Sequence, residues 1–411
     1  MMLASFVRRV LEWGKLTIVD AYGRRHEIRG RDGPEVTIRL HDRALHHRLA
    51  INPHLHLGEA YMEGEVTIEQ GTLFDFLDIC TSNQGTFLAK SWLGRTTKRL
   101  DLFFRRLHQY NPAKRARANV AHHYDLSDTL YELFLDGDRQ YSCGYFTHPH
   151  DDIDKAQRDK KRHLAAKMLL RPGQRVLDIG SGWGGLALFL SESADCDVLG
   201  ITLSREQLQV SEARARQAGR SGRIRFELKD YRDQTGSFDR IVSVGMFEHV
   251  GVNHYDAFFG KVRDLLADDG VAILHSIGRM DGPGATNAWF RKYIFPGAYA
   301  PALSEVVPAI ERAGLWITDI EILRLHYAET LRCWRRRFQD NHARVAKLYD
   351  ERFCRMWEFY LTGAELMFRR LGGMVFQIQM AKRWDGVPLT RDYITDWERA
   401  QTAQGGCRPV M

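Results

Sequence analysis

The sequence has few of the features that mark secreted, membrane-spanning or metal-binding proteins. Its 411 residues contain no run of about 18 apolar residues, which argues against a membrane-spanning helix. The N-terminal residues lack a continuous apolar core followed by a cleavage site, so we expect no secretory signal. The six cysteines include no Cys-x-x-Cys pair, which disfavours a disulfide framework or a zinc site. We therefore expect a cytoplasmic protein without a metal.

The remaining composition is that of a folded globular protein with excess positive charge. Hydrophobic residues make up 44% of the chain and charged residues 27%, which is typical of a globular fold rather than a disordered one. The length allows two domains. The net charge of +7 favours a polyanionic partner, either a nucleic acid or a membrane rich in anionic lipid.

A glycine-rich turn after an apolar run, at residues 175–189, predicts the first strand of a parallel α/β sheet that binds a nucleotide-like ligand. Gly180 and Gly182 permit unusual backbone angles and leave room for a ligand against the main chain. Asp178 could accept a hydrogen bond from an amine or hydroxyl at the strand end. The pattern also fits a dinucleotide site or an ordinary turn, but the next strand ends at Ser204 without the acid that a dinucleotide needs. S-adenosylmethionine is the favoured ligand.

Strands alternate with helices after this turn, so the pattern predicts a mostly parallel sheet whose carboxyl edge holds the ligand. We expect a capping box at Ser204 to open one of the helices, and an antiparallel last strand at residues 374–382. Polar or small residues gather at the carboxyl edge: Asp178, Gly180, Thr202, Asp230, Met246, Glu248, His249 and His275.

The N-terminal region predicts a small α/β module over residues 1 to about 90, followed by a basic segment over residues 90–117. An apolar stripe that includes Phe103 and Phe104 lies there among lysines and arginines. Such a helix can lie in a lipid headgroup layer, or its stripe can pack on its own domain. Both interpretations stay open.

Six motifs together resemble one known family, the cyclopropane-fatty-acyl-phospholipid synthases and the related mycolic acid methyltransferases. The motifs are His123-Tyr-Asp-Leu, Tyr141-Ser-Cys, Val176-Leu-Asp-Ile-Gly-Ser-Gly-Trp-Gly, Met246-Phe-Glu-His-Val-Gly, Lys292-Tyr-Ile-Phe-Pro-Gly and His326-Tyr-Ala-Glu-Thr-Leu. The resemblance implies a class I S-adenosylmethionine-dependent methyltransferase fold, an α/β fold with a Rossmann-like seven-stranded sheet and a smaller N-terminal α/β domain.

The resemblance also implies a domain plan. Residues 1–110 are expected to form a lipid-binding or dimerisation domain, 111–118 a linker, and 119–411 the catalytic domain. Residues 279–301 are rich in glycine, proline and aromatics, which predicts an irregular lid. Four lid aromatics could line an acyl tunnel or serve packing: Trp289, Phe290, Tyr293 and Phe295.

The implied reaction transfers a methylene group from S-adenosylmethionine to the cis double bond of an acyl chain, with a bicarbonate ion as base. By resemblance, Cys143, Glu248, His275 and Tyr327 hold that ion. Taken singly, Glu248 could equally be half of an ion pair and His275 a core residue. The donor-binding residues expected from the resemblance and from the turn are Tyr141, Ser142, Asp178, Gly180, Gly182, Thr202, Leu203, Gln207, Asp230 and Tyr231.

One departure from the family leaves the product open. Family members often carry a cysteine where this chain has Ala364, and Cys354 is not an obvious replacement. A ring is favoured, and a methyl- or methylene-branched chain is the alternative. A nucleic-acid methyltransferase is disfavoured, since Phe247-Glu-His stands where an amino-methylating motif would follow the fourth strand. The expected partners are unsaturated phospholipid at the inner face of an anionic membrane and a second copy of the chain.

Overall fold

A computed structural model describes residues 2–86 and 127–405, which form two units. The first unit contains the described residues up to 86 together with 284–296 and 328–373, and the second contains the rest. The basic segment at 90–117, the linker at 111–118 and the His123 motif were predicted from sequence and lie outside the described residues. Within the described ranges, no helix is long and apolar enough to cross a membrane.

The described part of the chain contains helices and strands in the following order, apart from single turns of 3-10 helix. They are α1 (Met2–Val10), β1 (Trp13–Val19), β2 (Arg25–Arg29), β3 (Arg31–Leu40), α2 (Leu45–Ile51), α3 (Pro53–Met62), β4 (Val66–Gln70), α4 (Leu73–Ser82), α5 (Asp128–Phe134), α6 (Ile153–Lys167), β5 (Arg175–Ile179), α7 (Gly185–Ala194), β6 (Asp197–Thr202), α8 (Arg205–Gln217), β7 (Ile224–Leu228), β8 (Phe238–Val244), α9 (Tyr255–Leu265), β9 (Leu266–Arg279), α10 (Ala288–Tyr293), α11 (Leu303–Arg312), β10 (Trp316–Leu323), α12 (His326–Asp340), α13 (His342–Leu348), α14 (Glu351–Arg370), β11 (Gly373–Ala381) and α15 (Asp392–Gly405).

The first unit packs helices from three parts of the chain around a four-stranded sheet of order β2-β1-β3-β4. β1 runs antiparallel to β2 and parallel to β3. The short helix α10 is anchored on α3 by the buried Trp289, whose Nε1 donates to Met62 Sδ at 3.1 Å. Lys292 and the Tyr293 hydroxyl both reach Glu59 Oε1, at 2.7 and 2.9 Å. Residues 284–296, predicted as a lid of the catalytic domain, therefore contact the N-terminal module.

The second unit is built on a seven-stranded sheet of order β10-β11-β9-β8-β5-β6-β7. β8 is parallel to β5 and β9, and β6 is parallel to β5 and β7. Neighbouring residues of one strand enter different apolar clusters: Leu177 packs with α9 and α11, and Val176 packs with α6 and α7. Alternate side chains of a strand point to opposite faces, so helices cover the sheet on both sides. The predicted α/β fold is confirmed.

One local prediction was right and two need correction. The last strand pairs antiparallel, from Trp316 opposite Ala381 to Leu323 opposite Val375. The stretch 279–301 is not irregular throughout, because it contains α10, which Asn287 caps by accepting from the Trp289 amide at 2.9 Å. The other correction concerns a capping box.

Only half of the capping box predicted at Ser204 forms. Its hydroxyl accepts from the Gln207 amide at 3.2 Å, as expected. The Gln207 side chain does not accept from the Ser204 amide, as a capping box requires, because its Oε1 accepts from the Thr202 hydroxyl at 3.0 Å. That same hydroxyl accepts from the Ser204 amide at 3.2 Å. The Gln207 amide group is thereby held at the end of β6 instead of at the helix cap.

Replacing Gly58 by Ala tests the packing of α10 on α3. A Cβ at this position would lie 2.5 Å from the Trp289 ring, so the indole must move. Overpacking of this kind costs about 1–3 kcal/mol. We expect a lower melting temperature and faster proteolysis near residues 284–296. The matched control is Gly363→Ala in α14 of the same unit, where the added Cβ meets Phe290 at an ordinary 3.5 Å. Equal melting temperatures of the two variants would contradict this packing.

Candidate active site

A pocket with a volume of about 150 Å³ lies within the second unit, at the ends of the central parallel strands. All ten residues predicted to bind S-adenosylmethionine line it: Tyr141, Ser142, Asp178, Gly180, Gly182, Thr202, Leu203, Gln207, Asp230 and Tyr231. Met246 and His249, which the sequence also places at this edge, line it too. The fold thus brings residues from five separate segments together, and their binding roles stay predictions.

The turn after β5 leaves its backbone open to the pocket. Gly180 and Gly182 have φ of +83° and +54°, a region that side chains with a Cβ rarely adopt. A Cβ at Gly180 would lie 2.8 Å from Met246 Cβ, whereas one at Gly182 would meet no atom within 4 Å. Gly180 is therefore required both by its conformation and by close packing, and Gly182 faces free space that a ligand can use.

Asp178 is a buried acid whose Oδ2 has no hydrogen-bond partner among the described residues. Burial raises the pKa of its carboxyl to about 7, because the carboxylate loses its hydration, and the charge of Lys160 offsets only part of this effect. A buried carboxyl that lines a pocket without a partner fits a ligand that carries an ammonium or hydroxyl group. The methionine end of S-adenosylmethionine carries both an ammonium and a carboxylate.

The far side of the pocket offers polar groups suited to a nucleoside. Gln207 Oε1 accepts a hydrogen bond from the Thr202 hydroxyl. The side-chain NH2 of Gln207 is therefore the group that can donate to a ligand. Asp230 is buried and forms a bidentate pair with Arg232, whose Nε and Nη2 lie 2.8 and 2.6 Å from its two oxygens. Tyr231 packs its ring edge-on against Phe258. These groups fit a ribose and a flat purine.

Helix α6 holds the loop that carries Tyr141, Ser142 and Cys143. Gln157 Nε2 donates to the Ser142 carbonyl at 2.8 Å. The ammonium of Lys160 donates to the Ser142 hydroxyl at 2.8 Å and to Gln140 Oε1 at 2.6 Å. Lys160 is buried, and burial lowers its pKa to about 8. Helix α6, which is rich in charged residues, thus supports the pocket loop through buried side chains.

Glu248 lies just after β8, and its carboxyl bonds to β9, the strand that carries His275. Glu248 Oε1 accepts from the Ile277 amide at 2.7 Å, two residues beyond His275 on the same strand. Its Oε2 is buried without a partner among the described residues, and burial raises the pKa of this carboxyl to about 7. His275 is buried against Gln377, and burial lowers its pKa to about 3, so its imidazole is neutral.

Cys143 and Tyr327, the other two predicted ion holders, lie on segments that contact each other. The buried thiol of Cys143 donates to the Gly144 carbonyl at 3.3 Å. Tyr327 is buried at the start of α12, next to His326, whose Nδ1 accepts from the Phe146 amide at 3.0 Å. All four predicted catalytic residues belong to the second unit.

Two close approaches link these pairs. A Cβ at Gly245 would lie 3.9 Å from Ser142 Cβ, and the Gly245 amide donates to the His275 carbonyl at 3.0 Å. The loop of Cys143 therefore borders the strand ends that carry Glu248 and His275. A neutral imidazole and a protonated carboxyl with a pKa near 7 can each donate a hydrogen bond to a small anion, whereas the Cys143 thiol already donates to the Gly144 carbonyl.

Several pocket residues were missed from the sequence. Trp183 stands between the glycines of the turn and lines the pocket, and an aromatic inside a glycine turn is a signal that could have found it. Gln140 and Arg232 also line it and gave no such signal. Lys160 bonds to Ser142, and Gln377 bonds to His275. Neither contact could be predicted without the three-dimensional fold.

The fold and the pocket define a class I S-adenosylmethionine-dependent methyltransferase. The family model described as "Mycolic acid cyclopropane synthetase" matches residues 111–378, so the chain belongs to this family and is a methyltransferase of the cyclopropane synthase type. A second model, "Domain of unknown function (DUF7884)", matches residues 19–92.

Two curated relatives and one solved structure illustrate the similarity. A "Probable fatty acid methyltransferase" of Pseudomonas putida is 37% identical over 372 residues, which cover 87% of this chain and 91% of the relative. The "Cyclopropane-fatty-acyl-phospholipid synthase" of Escherichia coli K12 is 34% identical and covers 80% and 83%. The mycolic acid cyclopropane synthase CmaA1, crystallised with SAH and CTAB, is 33% identical with a TM-score of 0.62, covering 66% of this chain and 99% of that one. The activity is that of a cyclopropane fatty acid synthase or a related lipid methyltransferase.

Replacing Asp178 by Asn is expected to change donor affinity and folding stability in opposite directions. Loss of the carboxylate removes a charge-assisted bond to the donor, worth about 1.5–3 kcal/mol, so we expect its dissociation constant to rise ten-fold or more. The raised pKa means that folded wild-type protein holds a proton more tightly than the unfolded chain between about pH 4 and 7. Its stability therefore falls as the pH rises through this window, and the Asn variant escapes that loss.

The readouts are calorimetric titration with S-adenosylmethionine and melting temperatures at pH 8 and pH 5. The variant should melt higher than wild type at pH 8, and the difference should shrink at pH 5. Unchanged donor affinity would show that Asp178 does not contact the donor.

Proposed function

We propose that the protein transfers a methylene group from S-adenosylmethionine to the cis double bond of unsaturated acyl chains in membrane phospholipids, forming cyclopropane fatty acids. The observation that carries this proposal is Glu248, a buried carboxyl with one oxygen that has no partner among the described residues. In the chain it lies between the pocket-lining residues Met246 and His249, and it bonds to β9 two residues beyond His275. Methyl transfer to an alkene does not require prior deprotonation, so a base is needed only after the transfer. These groups suit an anion that accepts the proton at that later step.

S-adenosylmethionine, when bound, supplies an electrophilic methyl group on a sulfonium. The alkene electrons form a bond to that methyl, the sulfur leaves with the electrons of the broken bond, and a cation remains on the second alkene carbon. Loss of a proton from the new methyl then lets its C–H electrons close the three-membered ring. A cation in an apolar site needs an anion nearby and the exclusion of nucleophilic water.

Bicarbonate is the proposed proton acceptor, and the residues fit an anion of this kind. Glu248 is partly protonated near neutral pH, because burial raises its pKa to about 7, so it can share a proton with the ion. His275 and Tyr327 can each donate one hydrogen bond, and Cys143 would contribute its backbone amide or, once released from the Gly144 carbonyl, its thiol. The ion would accept the proton released by the methyl group, and the four residues would hold it in place.

The proposed substrate source is the inner face of an anionic membrane, which the enzyme meets peripherally. A net charge of +7 supports attraction to anionic lipid. We also propose a homodimer, with the N-terminal region as the dimerisation or lipid-binding part. The relative from Escherichia coli, which is named for a phospholipid product, supports the same substrate class.

A branched product is the alternative, and Ala364 favours it. Ala364 lies buried in α14, in place of the cysteine that family members often carry. Cys354 precedes it in the same helix by ten residues, which is about 15 Å along the axis, so its thiol cannot occupy the same place. In the family that cysteine is a polar neighbour of the ion, so its replacement by alanine favours a methyl or methylene branch.

The proposal is tested by expressing the chain in a bacterial host that lacks such an enzyme and analysing its fatty acids by gas chromatography and mass spectrometry. We expect unsaturated chains to gain one CH2, lose the double bond and give a ring fragment. A gain of one CH2 with a branch would instead assign the alternative product. Unchanged fatty acids with abundant folded protein would contradict the proposed substrate.

Glu248→Gln tests the anion site in the same host and with purified enzyme. The Gln carbonyl can still accept from the Ile277 amide, so the fold should be kept, but the side chain can no longer share a proton. We expect turnover to fall by about 10²-fold or more, with the donor dissociation constant nearly unchanged. Wild-type turnover in the variant would remove Glu248 from the mechanism.

A further inference from the structure

A chain of buried polar groups leads from α6 through β11 to His275. Gln377 of β11, Lys167 of α6 and His275 of β9 are each at most 2% exposed. Lys167 Nζ donates to Gln377 Oε1 at 2.8 Å, and Gln377 Nε2 lies 3.1 Å from His275 Nδ1. All three residues belong to the second unit. Polar groups buried in a sheet core cost free energy unless they are paired, so each pairing here constrains the next.

The direction of the two hydrogen bonds is fixed by what each group can do. An ammonium only donates, so Lys167 must face the oxygen of the Gln377 amide. That orientation turns the amide NH2 towards His275, and an NH2 group can only donate. Nδ1 of His275 must therefore accept and carries no proton. A neutral imidazole has one N–H, which then has to sit on Nε2.

Both the ammonium and the backbone carbonyl of Lys167 are hydrogen-bonded, and the contacts of the ammonium fix its position next to Gln377. Its ammonium pairs with Glu321 and lies 3.9 Å from Asp319. Its carbonyl accepts from Gln379 Nε2 at 2.6 Å. The carboxylate of Glu321 favours the charged form of the lysine, which burial opposes. Gln379 lies two residues after Gln377, on the same face of β11.

The acid that pairs with Lys167 has a second partner. His163 Nε2 lies 2.6 Å from Glu321 Oε2, and His163 Nδ1 lies 2.7 Å from Glu398 Oε1. Burial disfavours the charged imidazolium, but its hydrogen bonds to Glu321 and Glu398 raise the pKa of His163 overall. The buried chain thus runs from α15 through α6, β10 and β11 to β9.

We propose that Lys167 and Gln377 are positioning residues that hold His275 as the neutral Nε2–H tautomer, so that it donates a hydrogen bond to the anion of the active site and does not accept the proton lost by the substrate. This assignment of a role to His275 rests on the proposed function. The proton from the transferred methyl group goes to the anion, and His275 keeps the same protonation throughout.

The test is the 15N spectrum of protein labelled at histidine, because it reports the tautomer without any activity. The His275 signals are assigned by their loss in His275→Gln. We expect wild-type His275 to give an unprotonated Nδ1 and a protonated Nε2. A protonated Nδ1 in the wild-type protein would overturn the proposal, and the one variant that has to fold for that result is His275→Gln, which serves only for assignment.

Gln377→Glu reverses the expected pattern. A carboxylate cannot donate, so it draws a proton onto Nδ1, and His275 should become either the Nδ1–H tautomer or an imidazolium. Gln377→Met removes the donor and should give a mixture of tautomers. The matched control is Gln379→Met, on the same strand face and equally buried, whose amide contacts the Lys167 carbonyl and the Tyr393 hydroxyl. It should keep the Nε2–H tautomer. An unchanged tautomer in Gln377→Glu would contradict the proposal.

Activity measurements separate this proposal from the function on which it rests. We expect Gln377→Glu to lower kcat by about 10- to 100-fold, as loss of an orienting partner does at other sites, with KM for S-adenosylmethionine little changed. If wild-type protein modifies no lipid but keeps the Nε2–H tautomer, the proposed function fails and the tautomer assignment stands. A kcat in Gln377→Glu equal to that of Gln379→Met would show that the tautomer does not matter for turnover.

Discussion

The site depends on two buried carboxyl groups, each with an oxygen that has no partner within the described ranges. Asp178 is the penultimate residue of β5, and Glu248 follows β8, the neighbouring parallel strand. Burial raises the pKa of both to about 7, with Lys160 offsetting only part of the effect at Asp178, and such burial costs free energy that the packed sheet must offset. Each carboxyl would be satisfied by a different ligand group: the ammonium of the donor for Asp178, and an anion that shares a proton for Glu248. Methyl transfer followed by proton loss requires a donor pocket and, next to it, the proposed anion site.

Helix α6 connects the two halves of this arrangement. Lys160 and Lys167 are seven residues apart, about two helical turns, so they project from the same face. Lys160 fixes the loop that borders the donor pocket, and Lys167 fixes the amide next to His275. One rigid element thereby sets the position of the loop and of the imidazole, and both cations remain buried. A site built on a helix and strands keeps its geometry better than one built on loops alone.

The sequence predicted the parts of the site that are local in the chain. Asp178 and the glycines stand in one turn, and the strand pattern alone places Thr202, Asp230 and Glu248 at one edge of the sheet. Lys167 could not be found in this way, because a lysine in a charged helix has the same local pattern whether it is solvated or buried.

The grouping of residues 284–296 with the N-terminal module could not be predicted from the sequence either. It depends on Trp289 meeting Met62, a contact between residues 227 positions apart. Tertiary packing decided both cases, whereas periodicity and turn chemistry decided the elements themselves.

The central claim is that a group in the site removes a proton from the methyl that has been transferred. Purified enzyme, vesicles of unsaturated phospholipid and S-adenosylmethionine carrying a CD3 methyl test it directly, with the product acids weighed by mass spectrometry. The account predicts that each modified chain gains CD2, since one deuteron leaves to the base. Chains that gain an intact CD3 group would contradict it, because no base would then have acted on the new methyl.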